Sequence, residues 1–281
     1  MKGQDIVVTG GTDGIGKAAA IRLAKLGGCL LLIGRNPDKG EAAVAEIKRT
    51  SGNDAVVYLQ GDLSLVKNVR HAAAQIRETF DRLDVLVHCA GNIFPRQRTL
   101  TADGLELSFA IQFMARFILT DQLLDLLRAA PAPQVLSVAG GGTIAGRVDF
   151  DNLQGEKSYG FTQVIKTTSR ACDLLTFEQI ARYPDITFYN YGPGLVRSGQ
   201  IVKNPLMRAL MNTVGRPFSR SAEQAGDDIV ALLRSPRSSG FYVKSAKPND
   251  VPESADPASC KRMWEYGEAV VAKASGRRAP Q

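Results

Sequence analysis

The sequence predicts one α/β domain, a doubly wound parallel sheet of about seven strands with helices on both faces. Three observations point there. Strand-like and helix-like runs alternate from the first residues to Gly194. The strand-like runs are short and nearly continuous in Val, Leu and Ile, as strands buried on both faces require. A glycine-rich turn joins the first strand to the first helix. With 281 residues, 44% of them hydrophobic and 22% charged, the chain can bury a full core, which excludes disordered and fibrous architectures.

Asp5-Ile-Val-Val-Thr9 is the first β-rich run, closed by glycines, and Ile15, Ala19, Leu23 and Leu26 then recur at helical spacing. Cys29 to Ile33 repeats the strand. After the Asn36-Pro37 break, Asp38 is placed to cap a helix that reaches Lys48. Ala55 to Leu59 is the third strand, Ser64 caps a helix to Phe80, and Asp84 to His88 is the fourth strand. A long helix lies between Leu100 and Leu127, ahead of Pro131 and Pro133. Val135 to Val138 is a strand, Phe161 to Arg182 a helix, and Ile186 to Asn190 a strand. Residues 197–218, rich in Arg, Asn, Met and Pro, suit either a substrate lid or a surface connection. Ser221 to Leu233 resumes a helix, Gly240 to Val243 is the last strand, and Ala258 to Ala272 the last helix. Residues 1–270 form the domain, and 271–281, with Lys273, Arg277 and Arg278 and no acid, a basic flexible tail.

Thirty-five Lys and Arg against 28 Asp and Glu leave +7, a charge that the tail partly accounts for. No basic run is interleaved with stacking aromatics, which argues against a nucleic-acid partner. Cys29, Cys89, Cys172 and Cys260 match no zinc spacing, and His71 and His88 make no cluster, so no metal is expected. The cysteines read as reduced thiols. No apolar stretch approaches the roughly 20 residues of a membrane span. The first strand starts too early for a leader, so the expected compartment is the cytoplasm.

Thr9-Gly-Gly-Thr-Asp-Gly-Ile-Gly16 carries the first chemistry. Gly10 allows a tight turn, Gly14 lets the backbone approach a pyrophosphate, and Gly16 lets helix pack close on strand. Thr12, Asp13 and Ile15 complete a loop whose helix amides receive phosphate. At the end of the second strand an acid would bind the ribose hydroxyls of NAD. This chain has Gly34-Arg35-Asn36, with Lys17 just past the glycine loop. Arg35 suits a 2′-phosphate, so NADP(H) is expected over NAD(H); the bland alternative is a solvated Arg.

These motifs, with Asp62-Leu63 after the third strand, His88-Cys-Ala-Gly91 after the fourth and Pro193-Gly194 after the sixth, resemble the short-chain dehydrogenase/reductase family over essentially the whole chain. Thr101-Ala-Asp-Gly-Leu-Glu106, Phe150-Asp-Asn-Leu153, Glu156-Lys-Ser-Tyr159 and Met263-Trp-Glu-Tyr266 are most similar to its retinol-dehydrogenase-like and WW-domain-oxidoreductase-like branch. The resemblance implies a Rossmann-like fold, NADP(H) and a lipophilic carbonyl or alcohol substrate. It implies that Asp62 and Leu63 flank the adenine, that Ala90 and Gly91 line the ribose, and that Pro193, Gly194, Val196 and Ser198 hold the nicotinamide. His88-Cys89 stands where the family has Asn-Asn. Dimer faces in relatives correspond to the helices at 100–127 and 161–182, so a homodimer is one implied state and a monomer the other.

The family's catalytic set is an Asn, a Ser, a Tyr and a Lys four residues after the Tyr. Counting between flanking motifs places these positions at Gln112, Gly140, Lys166 and Arg170, so all four residues differ. Three readings follow. In the first, an NADP(H)-dependent oxidoreductase uses a rearranged donor such as Lys166, its ammonium made more acidic by Arg170 at i+4; Tyr159, Ser158, Thr143 and Tyr191 are other candidate hydroxyls. In the second, the fold performs a non-redox cyclisation, isomerisation or elimination, for which secondary metabolism is a natural setting. In the third, the protein is a catalytically silent dinucleotide sensor or scaffold. Arg96, Arg98, Arg116, Arg147, Arg197 and Lys203 fall in segments near the expected site, so the small-molecule substrate is read as lipophilic and open to being anionic.

Overall fold

Alternation along β1 (Asp5–Thr9) sets the architecture. Ile6 and Val8 face one side of the sheet with Leu30, Leu32, Val85, Val87 and Leu136, while Val7 faces the other with Leu31, Ile33, Leu86 and Val135. The middle positions of these central strands are thus apolar because both faces are covered. The computed structural model describes residues 1–91, 94–196, 219–235, 237–244, 247–248 and 256–274. The expected lid at 197–218 and tail residues 275–281 lie outside the described residues.

The sheet has the order β3-β2-β1-β4-β5-β6-β7-β8. β2 (Cys29–Gly34), β3 (Val56–Gln60), β4 (Val85–His88), β5 (Gln134–Val138), β6 (Thr187–Gly192) and β7 (Gly240–Val243) run parallel to β1. An unforeseen two-residue β8 (Lys247–Pro248) adds antiparallel at the edge. On one face lie α1 (Gly14–Lys25), α2 (Pro37–Ser51) and α8 (Ala222–Arg234). On the other lie α3 (Val66–Thr79), α4 (Leu107–Phe109), α5 (Ala115–Gln122), α6 (Leu124–Arg128), α7 (Phe161–Arg182) and α9 (Pro257–Ala274). Among the described residues no helix is long and apolar enough to cross a membrane.

Local chemistry corrects four expectations. Asn36, not Asp38, caps α2, its Oδ1 accepting from the Lys39 amide at 2.9 Å. Ser64 does not cap α3; the Val66 amide donates instead to Asp103 Oδ2 at 2.7 Å, a carboxylate brought from a loop 37 residues on. The long helix is segmented: a π turn, Ala110–Met114, separates α4 from α5, and α6 follows a break at Leu123. The last helix runs to Ala274, four residues into the expected tail, because Val270 and Val271 still pack against the core. The helix expected from Ser221 starts one residue later, with Ser221 as its cap in a reciprocal box with Gln224.

Candidate active site

β1 and β4 are neighbours, and the chain leaves them for opposite faces, which opens a crevice at their carboxyl ends. Gly10 and Gly16 close its floor. A Cβ on Gly10 would lie 2.8 Å from the Ala90 amide nitrogen, and one on Gly16 only 2.3 Å from the Gly10 carbonyl oxygen. Gly14 differs: its φ is +52° and a Cβ there would meet nothing within 4 Å, so the backbone is bare toward open space. Asp13 caps α1 through the Gly14 amide at 2.8 Å, and Lys39 reaches its other oxygen at 3.2 Å. Burial pushes the Asp13 carboxyl up, but Lys39, that amide and Lys17 outweigh it and hold it below its ordinary value.

Thr12 packs over Gly34, where a Cβ would lie 2.8 Å from Thr12 Cγ2, and Arg35 projects exposed from the end of β2. Asn36 spends its carbonyl oxygen on the α2 cap, and Lys17 is drawn to Glu46 at 2.8 Å. Asp62 accepts from the Ser64 amide at 3.0 Å, with Leu63 buried beside it. The Ala90 amide donates to Thr9 Oγ1 at 3.2 Å, and Gly91 follows. Past β6 come Pro193 and Gly194, the latter at φ +73°, and then Val196, which bridges to Arg220. Ser198, with Arg197 and Lys203, lies outside the described residues. The bare Gly14 backbone at a helix N-terminus, with an exposed Arg35 alongside, fits a phosphorylated dinucleotide.

Gly140, Lys166 and Arg170 do not form one cationic centre. Lys166 is exposed on α7, whereas Arg170 is 1% exposed and its Nη1 donates to Asp173 Oδ2 at 2.8 Å, itself fully buried. Arg170, expected as a fixed cation next to Lys166, thus has a carboxylate of its own three residues on. Asp173 Oδ1 accepts from Asn190 Nδ2 at 3.0 Å, and Asn190 Oδ1 accepts from the Gly141 amide at 2.9 Å. Burial pushes the Asp173 carboxyl up to about 7 against the pull of Arg170 and the Gly142 amide. This network fixes the loop after β5 on which Gly140 stands, with Ser169 beneath it: a Cβ on Gly140 would lie 3.4 Å from Ser169 Cβ. Asp173 and Asn190 were missed from sequence, although an Asp three residues after a helical Arg is a readable pair.

The alternative hydroxyls are engaged. Tyr159 Oη lies 3.1 Å from Glu106 Oε1 and 3.2 Å from the Pro95 carbonyl; burial, then Glu106, push its pKa up to about 12. Tyr191 donates to Asp228 at 2.7 Å, Thr143 to the Gly140 carbonyl at 2.7 Å, and Ser158 to Gln163 at 3.3 Å.

Gln112 occupies the middle of the π turn, a distortion frequent at functional sites. Its backbone carbonyl accepts from Cys172 Sγ at 3.2 Å, while its Nε2 is buried without a partner among the described residues. One turn on, Arg116 is 3% exposed between the ends of β4 and β5. Its Nη2 donates to the Val138 carbonyl at 2.7 Å and the Ala90 carbonyl at 3.5 Å, its Nη1 lies 3.6 Å from Cys172 Sγ, and its Nε has no partner among the described residues. Burial, helped by Arg116, holds His88 well below its usual range, and burial raises the Cys89 thiol to about 12. Phe94 meets Phe161 edge-on at 5.8 Å, and Phe161 and Leu195 present exposed apolar surface at this end of the sheet. Arg98 donates to the Gln154 carbonyl, and Arg96 and Arg147 are exposed.

Residues 4–150 match the family model described as short chain dehydrogenase. A Streptomyces sp. (strain C5) protein assigned as a daunorubicin C-13 ketoreductase is 29% identical over 276 residues, covering 96% of this chain and 93% of its own. Retinol dehydrogenase 14 of Homo sapiens is 26% identical over 294 residues, covering 96% and 87%. Among solved structures, an alcohol dehydrogenase from the archaeon Thermococcus sibiricus, complexed with 5-hydroxy-NADP, aligns at a TM-score of 0.67 with 20% identity, covering 89% of this chain and all of that one.

Proposed function

The chain belongs to the short-chain dehydrogenase family, in its retinol-dehydrogenase-like branch, and we propose that it is an NADP(H)-binding enzyme acting on a lipophilic carbonyl compound without the family's Asn-Ser-Tyr-Lys set. The observation that carries the cofactor half is Arg35, exposed at the end of β2 where an acid would serve NAD. The amides at the start of α1 would hold the pyrophosphate beside the bare Gly14, Asp62 and Leu63 would flank the adenine, and Ala90 and Gly91 would line the ribose. When bound, the dinucleotide supplies or accepts a hydride. The apolar surface of Phe161 and Leu195 supports a lipophilic substrate. The ketoreductase assignment of the Streptomyces relative supports a place in secondary-metabolite biosynthesis.

A second reading, non-redox chemistry on the same scaffold, is favoured by the Arg170–Asp173 pair. An arginine neutralised by a buried carboxylate does not take over the role of a lysine that lowers a tyrosine pKa. One experiment separates the two: incubation with lipophilic ketones while NADPH absorbance and product are followed together. NADPH oxidation matched to alcohol supports the first reading, with Lys166→Ala testing Lys166 as proton donor. Product without oxidation supports the second. Absence of NADPH binding by calorimetry overturns both.

A further inference from the structure

We propose that Arg116 and Gln112 form a binding subsite for an anionic oxygen of the substrate, a carboxylate, phenolate or enolate. This rests on the reading above only in placing the ligand at the carboxyl edge of the sheet. The two buried arginines of the described residues are treated differently by the fold. Arg170 has Asp173 at 2.8 Å. Arg116, 3% exposed, has no carboxylate within ion-pair distance among the described residues; its partners are the Val138 and Ala90 carbonyls and the Cys172 sulfur. Burial keeps the Cys172 and Cys89 thiols protonated, so neither supplies the missing charge.

A second vacancy lies beside the first. Arg116 Nε and Gln112 Nε2 are both buried N–H donors without an acceptor among the described residues, from residues four apart and so on one helical face. Buried donors are nearly always satisfied, and a buried cation is nearly always paired, so an open donor on an uncompensated guanidinium beside an open carboxamide donor points to an acceptor that arrives with the ligand. Gly91 lies directly against both side chains: a Cβ there would be 3.1 Å from Gln112 Cγ and 3.7 Å from Arg116 Nη2. Only backbone at that position therefore separates the pair from the end of β4.

The test uses the full chain, with and without NADPH, and two probes of one shape, sodium benzoate and neutral benzamide. Calorimetry should show benzoate bound about tenfold more tightly than benzamide, the worth of a charge-assisted bond. In Arg116→Met the two probes should bind alike, and in Gln112→Leu the benzoate preference should shrink. Gln112→Leu, which removes only an unsatisfied side-chain donor, should melt at or above the wild-type temperature without ligand, whereas Arg116→Met also gives up the bonds to the Val138 and Ala90 carbonyls. Equal binding of the two probes to wild type overturns the proposal. So does a benzoate preference that survives Arg116→Met. A clear fall in the melting temperature of both variants, or failure of both to fold, would mark the guanidinium and amide as clamps between β4, β5 and α5, and would overturn it too. NADPH binding without benzoate preference refutes this subsite and leaves the cofactor reading intact. Benzoate preference without NADPH binding does the reverse.

Discussion

Gly14 and Gly16 sit two residues apart in the same loop, yet alanine should injure the protein differently at each. At Gly16 the new methyl would lie 2.3 Å from the Gly10 carbonyl oxygen and 2.9 Å from its carbon, against backbone that has no rotamer to change. Relief needs about 1 Å of separation between α1 and the β1 turn, which places the cost near the upper end of overpacking, about 3 kcal/mol. At Gly14 there is no clash, only the left-handed φ of +52°, worth about 1–2 kcal/mol in a residue with a Cβ. The methyl there would point into the space assigned to the pyrophosphate. Urea unfolding should therefore lower the midpoint by about 1 M for Gly16→Ala and by about a third to two thirds of that for Gly14→Ala. Calorimetry with NADPH on the folded Gly14→Ala protein should show affinity down by about tenfold or more, through lost approach to the helix amides. If Gly14→Ala bound NADPH like wild type, the cradle would lie elsewhere. Equal unfolding penalties at the two positions would refute the division of labour.

Arg35→Ala should weaken NADPH by about 10–100-fold and leave NADH nearly unchanged, since the guanidinium is read as a partner of the 2′-phosphate alone; equal losses for both dinucleotides in calorimetry would remove that role. Asp173 has a folded pKa raised from 3.8 to about 7, so between those values the native state holds a proton that the unfolded chain has released. Its contribution to stability is therefore present below about pH 4 and is lost as pH rises to about 7, on the order of a few kcal/mol. Urea midpoints against pH should fall across that window in wild type relative to Asp173→Asn; a wild-type midpoint that rises relative to the variant would mean that Arg170 outweighs burial. Asp103→Ala should cost about 1 kcal/mol by freeing the first amide of α3, a loss that hydrogen exchange should localise to the start of that helix.

The parallel sheet was legible because its central strands are buried on both faces, and that burial writes itself as unbroken Val, Leu and Ile in Cys29–Gly34 and Val85–His88. Capping was legible only where it is local. Ser221 and Gln224 are three residues apart and announce the α8 box, whereas the carboxylate that caps α3 belongs to Asp103, and no window around Val66 contains it. The π turn left no mark either, since Ala110–Met114 is as apolar as an ordinary helix and the extra residue shows only in the Ala115 amide reaching back to Ala110.

The cations make the same point about the site. Sequence counting places Lys166 and Arg170 at the expected catalytic positions and treats their charges alike, because spacing on a helix face says nothing about depth. Depth decides which charge is available. Lys166 is solvated, Arg170 is buried and matched by Asp173, and Arg116 is buried between two strand ends with neutral partners. An exposed lysine gains little from a substrate anion that water already screens, and a matched arginine would have to give up its carboxylate first. Arg116 alone of these three gains a full charge-assisted bond from an arriving anionic oxygen without breaking one to a carboxylate. The cation proposed to meet a substrate anion is therefore at neither the Tyr nor the Lys position; it sits one helical turn beyond Gln112.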